Sequence, residues 1–311
     1  MTTMGSQMGW VGVALGALIG LIGCQSAQEV SDRPRVVATS TILRDLVAQV
    51  GGDRIQLTGI LDPGADPHIY EPVPADTVAL EQADLIVYNG FNLEPNIIKL
   101  IRSTGSEVAI AVGEVAEPLD FEYRGQTEPD PHVWGDVENV ILMVGAIRDG
   151  LIALSPADGD QFTANAANLI ADLTELDGWV REQIATIPAD QRQLVTTHDA
   201  FQYYAEAYGL TVIGTLIGIS TEEQPSAQTV GQLVEAVRAS GVPAIFAETT
   251  LNPALISTVA AEAGVDLAPN ELYSDSIGAP GSQGDSYIKM IAANTCTIAI
   301  ALEGRCEPFE P

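Results

Sequence analysis

The amino-acid sequence predicts an α/β protein: two parallel-sheet lobes joined by one long rigid helix. Three observations carry that expectation. Short apolar runs alternate with amphipathic segments over residues 35–154, one helical periodicity runs across 155–188, and the alternation resumes over 189–311. Strands that alternate with helices build a parallel sheet with right-handed crossovers. A chain of 311 residues is long enough to bury such cores. Apolar residues make up 46% of it and aromatic residues only 5%, which suits layers packed with Ala, Val, Ile and Leu better than an aromatic-rich sandwich.

The chain opens with residues 10–23, which carry no charge and are too few for an ordinary membrane span. They are the right length for the apolar region of a secretory leader, and Leu21-Ile22-Gly23-Cys24 resembles the lipobox of bacterial lipoproteins. Residues 1–23 are therefore expected to be a lipoprotein signal peptide, Cys24 the lipidated residue and 24–34 a polar tether. No Lys or Arg precedes the apolar run, so either the start codon is misassigned or the α-amino group serves as its only positive charge.

In the first lobe, 36–40 reads as a strand and 42–50 as its helix, closed by Gly51-Gly52. A strand over 55–61, a helix over 74–82 and a buried strand over 85–88 follow. A helix over 95–102 starts with proline at its first position, and 108–112 is one more strand. Ser155-Pro156-Ala157-Asp158 has capping-box character. Beyond it Phe162, Ala166, Leu169, Leu173, Leu176, Val180, Ile184 and Ile187 recur at steps of three and four until Pro188. About 30 helical residues would give a strut of about 45 Å. The second lobe reads as strands over 194–197, 211–216 and 244–247, with helices over 200–208, 229–240, 253–263 and 285–302.

The formal charge of −29, from 42 acidic and 13 basic residues, excludes nucleic acid as a partner. A surface this acidic is compatible with attracting cations, although acidity also serves plain solvation. Only three histidines occur. His68 and His132 each follow Asp-Pro after an extended run, and His198 stands where a strand hands over to a helix. Ligands of open α/β sheets bind outside the carboxyl ends of strands. A single loop histidine more often decorates a surface, and Asp66-Pro67-His68 read alone is compatible with a plain turn. Three scarce imidazoles in like places point instead to one transition metal, with Asp275 in its polar loop as a carboxylate ligand. His68 and His132 would then come from the first lobe, His198 and Asp275 from the second, placing the metal in the interlobe cleft. Asp66, Asp130 and Asp199 suit helix caps or supports of the ligands, with capping favoured for Asp199. Glu248, ending another strand, is expected to face the cleft. Cys296 and Cys306, outside the cytoplasm, are expected to form a disulfide; the alternative is Cys296 as a small core residue.

Several segments resemble the successive signatures of one family. They are Asp66-Pro67-His68-Ile69-Tyr70-Glu71-Pro72, Asp130-Pro131-His132-Val133-Trp134, Thr197-His198-Asp199-Ala200-Phe201-Gln202-Tyr203-Tyr204, Gly218-Ile219-Ser220-Thr221, Leu272-Tyr273-Ser274-Asp275-Ser276 and Gly284-Asp285-Ser286-Tyr287. The family is that of the metal-binding, solute-binding lipoproteins of manganese and zinc ABC transporters (cluster A-I, TroA-like). The resemblance implies that His68, His132, His198 and Asp275 hold the ion, and that the cargo is Mn2+ or Zn2+. It implies an ABC permease as partner, a lipid anchor at the outer face of the cytoplasmic membrane or in the periplasm, a monomer, and no catalysis. No His-rich acidic loop of the dedicated zinc binders lies between His68 and His132, and Gly218 to Thr221 looks like the segment of manganese carriers; the resemblance favours manganese, with zinc close behind. The rival readings are a metal-dependent hydrolase, which needs an open coordination position, and an adhesin-like surface lipoprotein, which gives no reason for the histidines to converge.

Overall fold

The computed structural model describes residues 1–5, 33–105, 108–123 and 126–310. The apolar run, Cys24 and most of the tether lie outside the described residues. In the first lobe β1 (Arg35–Ala38), β2 (Gln56–Gly59), β3 (Leu85–Tyr88) and β4 (Ala109–Ala111) form one sheet in the order β2-β1-β3-β4. All its pairs are parallel, with Val36 facing Leu57 on one side and Leu85 on the other. Its crossovers are α1 (Thr41–Gly51), α2 (Pro74–Gln82) and α3 (Pro95–Thr104). Ser40 caps α1 by accepting from Leu43 N at 3.2 Å, and Gly52 ends it at φ 54°, a conformation that costs glycine little.

Two elements of this lobe are additions to the sequence expectation. A hairpin pairs β5 (Asp120–Tyr123) antiparallel with β6 (Gln126–Pro129), and α4 spans Val137–Leu154. Only the first hairpin strand alternates, through Phe121 and Tyr123; the second, Gln126–Pro129, has no apolar alternation to announce it. In α4 the buried stripe of Val140, Met143, Val144, Ile147 and Leu151 is blurred by further apolar residues, among them Leu142, which is 52% exposed.

The connecting helix α5 runs Gly159–Ala185, 27 residues and roughly 40 Å. The capping-box expectation fails: a 3-10 turn over Pro156–Asp158 precedes α5, and Ser155 Oγ donates to the Asp158 carboxylate (2.7 Å) instead of capping the helix. The predicted stripe from Phe162 to Ile187 is buried throughout. Its partners are α1 and α4 of the first lobe and α6 (Gln202–Tyr208) and α9 (Tyr287–Ala301) of the second. Leu46, Met143, Leu173, Tyr204 and Ile298 consequently belong to one continuous apolar cluster. Burial on both sides, and not exposure as a free strut, is what fixes the helix.

In the second lobe β7 (Gln193–His198) pairs parallel with β8 (Thr211–Ile217), and β9 (Ala244–Ile245) with β10 (Asp266–Leu267). Phe246 N donates to Val195 O at 2.9 Å, setting β9 beside β7. The helices α7 (Ala227–Ser240) and α8 (Ala254–Ala263) cover this sheet through Leu233, Val237, Ile256 and Val259. A disulfide joins Cys296 of α9 to Cys306. The tail beyond lies on α5, with Trp179 Nε1 donating to Glu307 O (3.1 Å) and the Phe309 ring 5.4 Å from that of Trp179.

Candidate metal centre

Each of the four side chains is delivered by a different connection. His68 lies in the turn between β2 and α2, where Asp66 Oδ1 accepts its backbone N–H at 2.9 Å. His132 follows the hairpin, with its N–H accepted in the same way by Asp130 Oδ1 (2.9 Å). Asn89, just past β3, braces that loop by donating to Pro131 O at 2.9 Å. From the other lobe Tyr203 OH donates to Asp130 O (2.8 Å). His198 is the last residue of β7, facing Ile217 across the pair, so it ends the strand and does not start the helix. Asp275 follows Leu272, which bridges to Glu248 beside it in parallel register, and Trp134 Nε1 fixes the intervening Ser274 O at 2.9 Å.

These four residues converge. One ligand atom from each lies within 4.8 Å of all the others, and every one of the side chains is buried. The Nε2 atoms of His68 and His132 stand 3.2 Å apart, and Asp275 is 3.9, 3.5 and 3.2 Å from the Nε2 atoms of His68, His132 and His198. Ligand atoms around an ion bonded at about 2.0–2.2 Å are spaced by roughly 3–4 Å, so the quartet already has the dimensions of a coordination shell. Both oxygens of Asp275 and Nε2 of His198 lack a hydrogen-bond partner among the described residues. Polar atoms left so in a dry interior cost free energy unless something else engages them.

Two carboxylates behind the quartet decide which nitrogen faces inward. Asp130 Oδ1 is 2.7 Å from His132 Nδ1, and Glu248 Oε2 forms a short bond to His198 Nδ1 while Oε1 accepts that residue's backbone N–H (2.8 Å). With Nδ1–H committed to a carboxylate, the Nε2 lone pair is the one available to an ion. Asp199 does neither job expected of it. The helix starts at Gln202, and Asp199 Oδ1 accepts from that residue's side chain at 2.7 Å. Glu248 is the support that sequence reasoning left underspecified, and its signal was its place at the carboxyl end of a buried strand.

Burial shapes the protonation of the group. It presses the His68 imidazole down to about 3; Asp275 opposes that shift, and His132 and His198 add to it. Burial would lower His198 too, yet Asp275 and Glu248 on either side raise it well above its ordinary value. Burial would raise Asp275, but His198 first, then His132 and His68, hold it well below the usual carboxylate range. An anionic Asp275 thus favours positive charge at His198, and an ion that takes the His198 Nε2 lone pair has to displace a proton from it.

The family profile described as zinc-uptake complex component A, periplasmic (ZnuA), matches residues 36–301. The chain belongs to the ZnuA family. The "Manganese-binding lipoprotein MntA" of Halalkalibacterium halodurans is 35% identical over 268 residues, 86% of this chain and 88% of that one. The "Zinc-binding protein TroA" of Treponema pallidum is 35% identical over 300 residues, 93% of this chain and 96% of its own. The solved periplasmic zinc-binding protein TroA from Treponema pallidum superposes with a TM-score of 0.82 at 34% identity, over 87% of this chain and 99% of that chain. Two lobes and a single long helix are thus the ZnuA-family architecture, with the His/Asp group buried between the lobes.

Proposed function

We propose that this ZnuA-family chain captures a divalent transition-metal ion outside the cytoplasm and delivers it to an ABC permease, without catalysing a reaction. The observation that carries this is the buried quartet of His68, His132, His198 and Asp275, with one ligand atom of each within 4.8 Å of all the others. Four protein ligands close a coordination shell, whereas a hydrolytic metal keeps a position for water beside a general base. Mature protein anchored through Cys24 would hold the ion near its permease and act as a monomer, with residues 35–154 and 189–311 as the lobes and 155–188 as the link.

Manganese is the cargo we favour. Asp275 offers two oxygens, and a chelating carboxylate raises the coordination number and hardness of the site toward that ion. The relative named a manganese-binding lipoprotein supports the same choice. Zinc is the second reading, because three imidazoles bind it more tightly by the Irving–Williams order and another relative is named for zinc. Tight binding in solution therefore does not identify the load. Elemental analysis of protein isolated from its native envelope does: about one manganese per chain is expected. Stoichiometric zinc would replace manganese as cargo, and metal-free protein from metal-replete cells would remove the carrier reading.

A further inference from the structure

His68 alone among the four converging residues lines an open cleft. That cleft, about 330 Å3, has Phe91 and Asn92 of the first lobe on one side and Ile219, Ser220 and Glu222 of the second on the other. His132, His198 and Asp275 are at most 1% exposed and lie behind it. The first-lobe wall is held in an unusual backbone conformation, with Gly90, Phe91 and Asn92 in succession at φ 89°, 47° and 58°. A bulky residue persists in that region only where its surroundings over-determine it, and such positions gather at ligand clamps.

Thr221 stands in the chain between Ser220 and Glu222 of the opposite wall, without itself lining the cleft, and is 6% exposed. Its hydroxyl donates to Asp66 Oδ2 at 2.6 Å, while Asp66 Oδ1 accepts the backbone N–H of His68 at 2.9 Å. A single carboxylate thus ties the turn that carries His68 to the loop of the other lobe. Ser276 also joins the lobes, through Thr41 (3.0 Å) and Gly64 N (2.8 Å), but none of those three holds the backbone of His68 or adjoins a cleft-lining residue in the chain. Widening the cleft has to part Thr221 from Asp66, and parting them loosens the support of His68.

We propose that the ion leaves through this cleft and that Thr221, through Asp66, is the latch that sets its residence time, with His68 the last side chain to let go. The proposal rests on the carrier reading and adds a positioning residue to it. Stopped-flow release of Co2+ from the loaded full-length protein into excess EDTA tests it, with the visible absorption of bound Co2+ reporting the coordination shell. Thr221→Val removes a hydrogen bond to a charged acceptor, so release is expected about tenfold faster than wild type. Thr221→Ser restores the hydroxyl and should stay within about twofold of the wild-type rate, and both variants should keep the wild-type spectrum because no ligand has changed. Should Thr221→Val not fold, Thr221→Ala removes the same hydroxyl without a bulk constraint. Wild-type release from a hydroxyl-free variant with the wild-type spectrum overturns the latch and leaves the carrier reading standing. Equal acceleration by valine and serine also overturns it. Failure of the wild-type protein to bind Co2+ removes the carrier reading, and the latch with it.

Discussion

At the scale of single residues, the site divides into side chains that converge on one point and carboxylates that aim them. Glu248 belongs to the second group. It grips both His198 Nδ1 and the His198 backbone, so Glu248→Gln should leave the fold intact while weakening metal affinity by about 10- to 100-fold. Calorimetric titration measures this, and unchanged affinity would show that packing alone orients the ring. Glu94 makes a separate statement about pH. Its carboxylate is buried, accepts from Asn89 N (2.9 Å) and Thr39 Oγ1 (2.7 Å), and burial lifts it from 4.5 to about 6. The folded state then binds this proton more readily than the unfolded chain, so the group costs stability above pH 6 and that cost disappears as pH falls toward 4.5. The shift corresponds to about 2 kcal/mol. Glu94→Gln should therefore gain about 2 kcal/mol relative to wild type at pH 7 compared with its standing at pH 4.5. Urea unfolding of the metal-free proteins at both pH values checks this, and a difference independent of pH would contradict it. The three histidines were legible in the sequence because they are scarce and follow extended runs. The bonds of Asn89 to Pro131 and of Thr221 to Asp66 were not, because they join residues 42 and 155 positions apart and nothing local records them.

At the scale of elements, the legible parts were those whose burial falls on one clean stripe or in one short apolar run. The span of β3 and the stripe of α5 follow from that rule. The α4 helix was hidden by its excess of apolar residues, and the second strand of the hairpin by its lack of them. Asp199 misled because a strand-to-helix junction invites a cap, while the chain uses three more residues before α6 begins. The C-terminal strap is an element whose contribution can be isolated. Cys296 and Cys306 close a short loop, and beyond it the tail packs against Trp179 on the connecting helix. Replacing both cysteines by serine should lower stability by about 2–3 kcal/mol through the loss of that cross-link. Scanning calorimetry of the double variant measures it. A melting temperature equal to that of the oxidised wild type would mean that the hydrogen bonds from Glu307 N to Gln183 Oε1 and from Thr186 Oγ1 to Arg305 O suffice by themselves.

At the scale of the whole molecule, one apolar cluster runs through both lobes and the helix between them. Four buried ligands, two from each lobe, add a polar seam to that apolar one. An ion bound there holds the lobes together and stabilises the folded state by mass action, by about 2.7 kcal/mol at a free concentration one hundred times the dissociation constant. The net charge of −29 spread over the surface favours the approach of cations to such a seam. X-ray absorption spectroscopy of the manganese- or zinc-loaded protein tests the coordination most directly. The account predicts a first shell of three imidazole nitrogens and one carboxylate, at about 2.0–2.2 Å for zinc. A shell with fewer than three imidazoles, or one made chiefly of water, would contradict it.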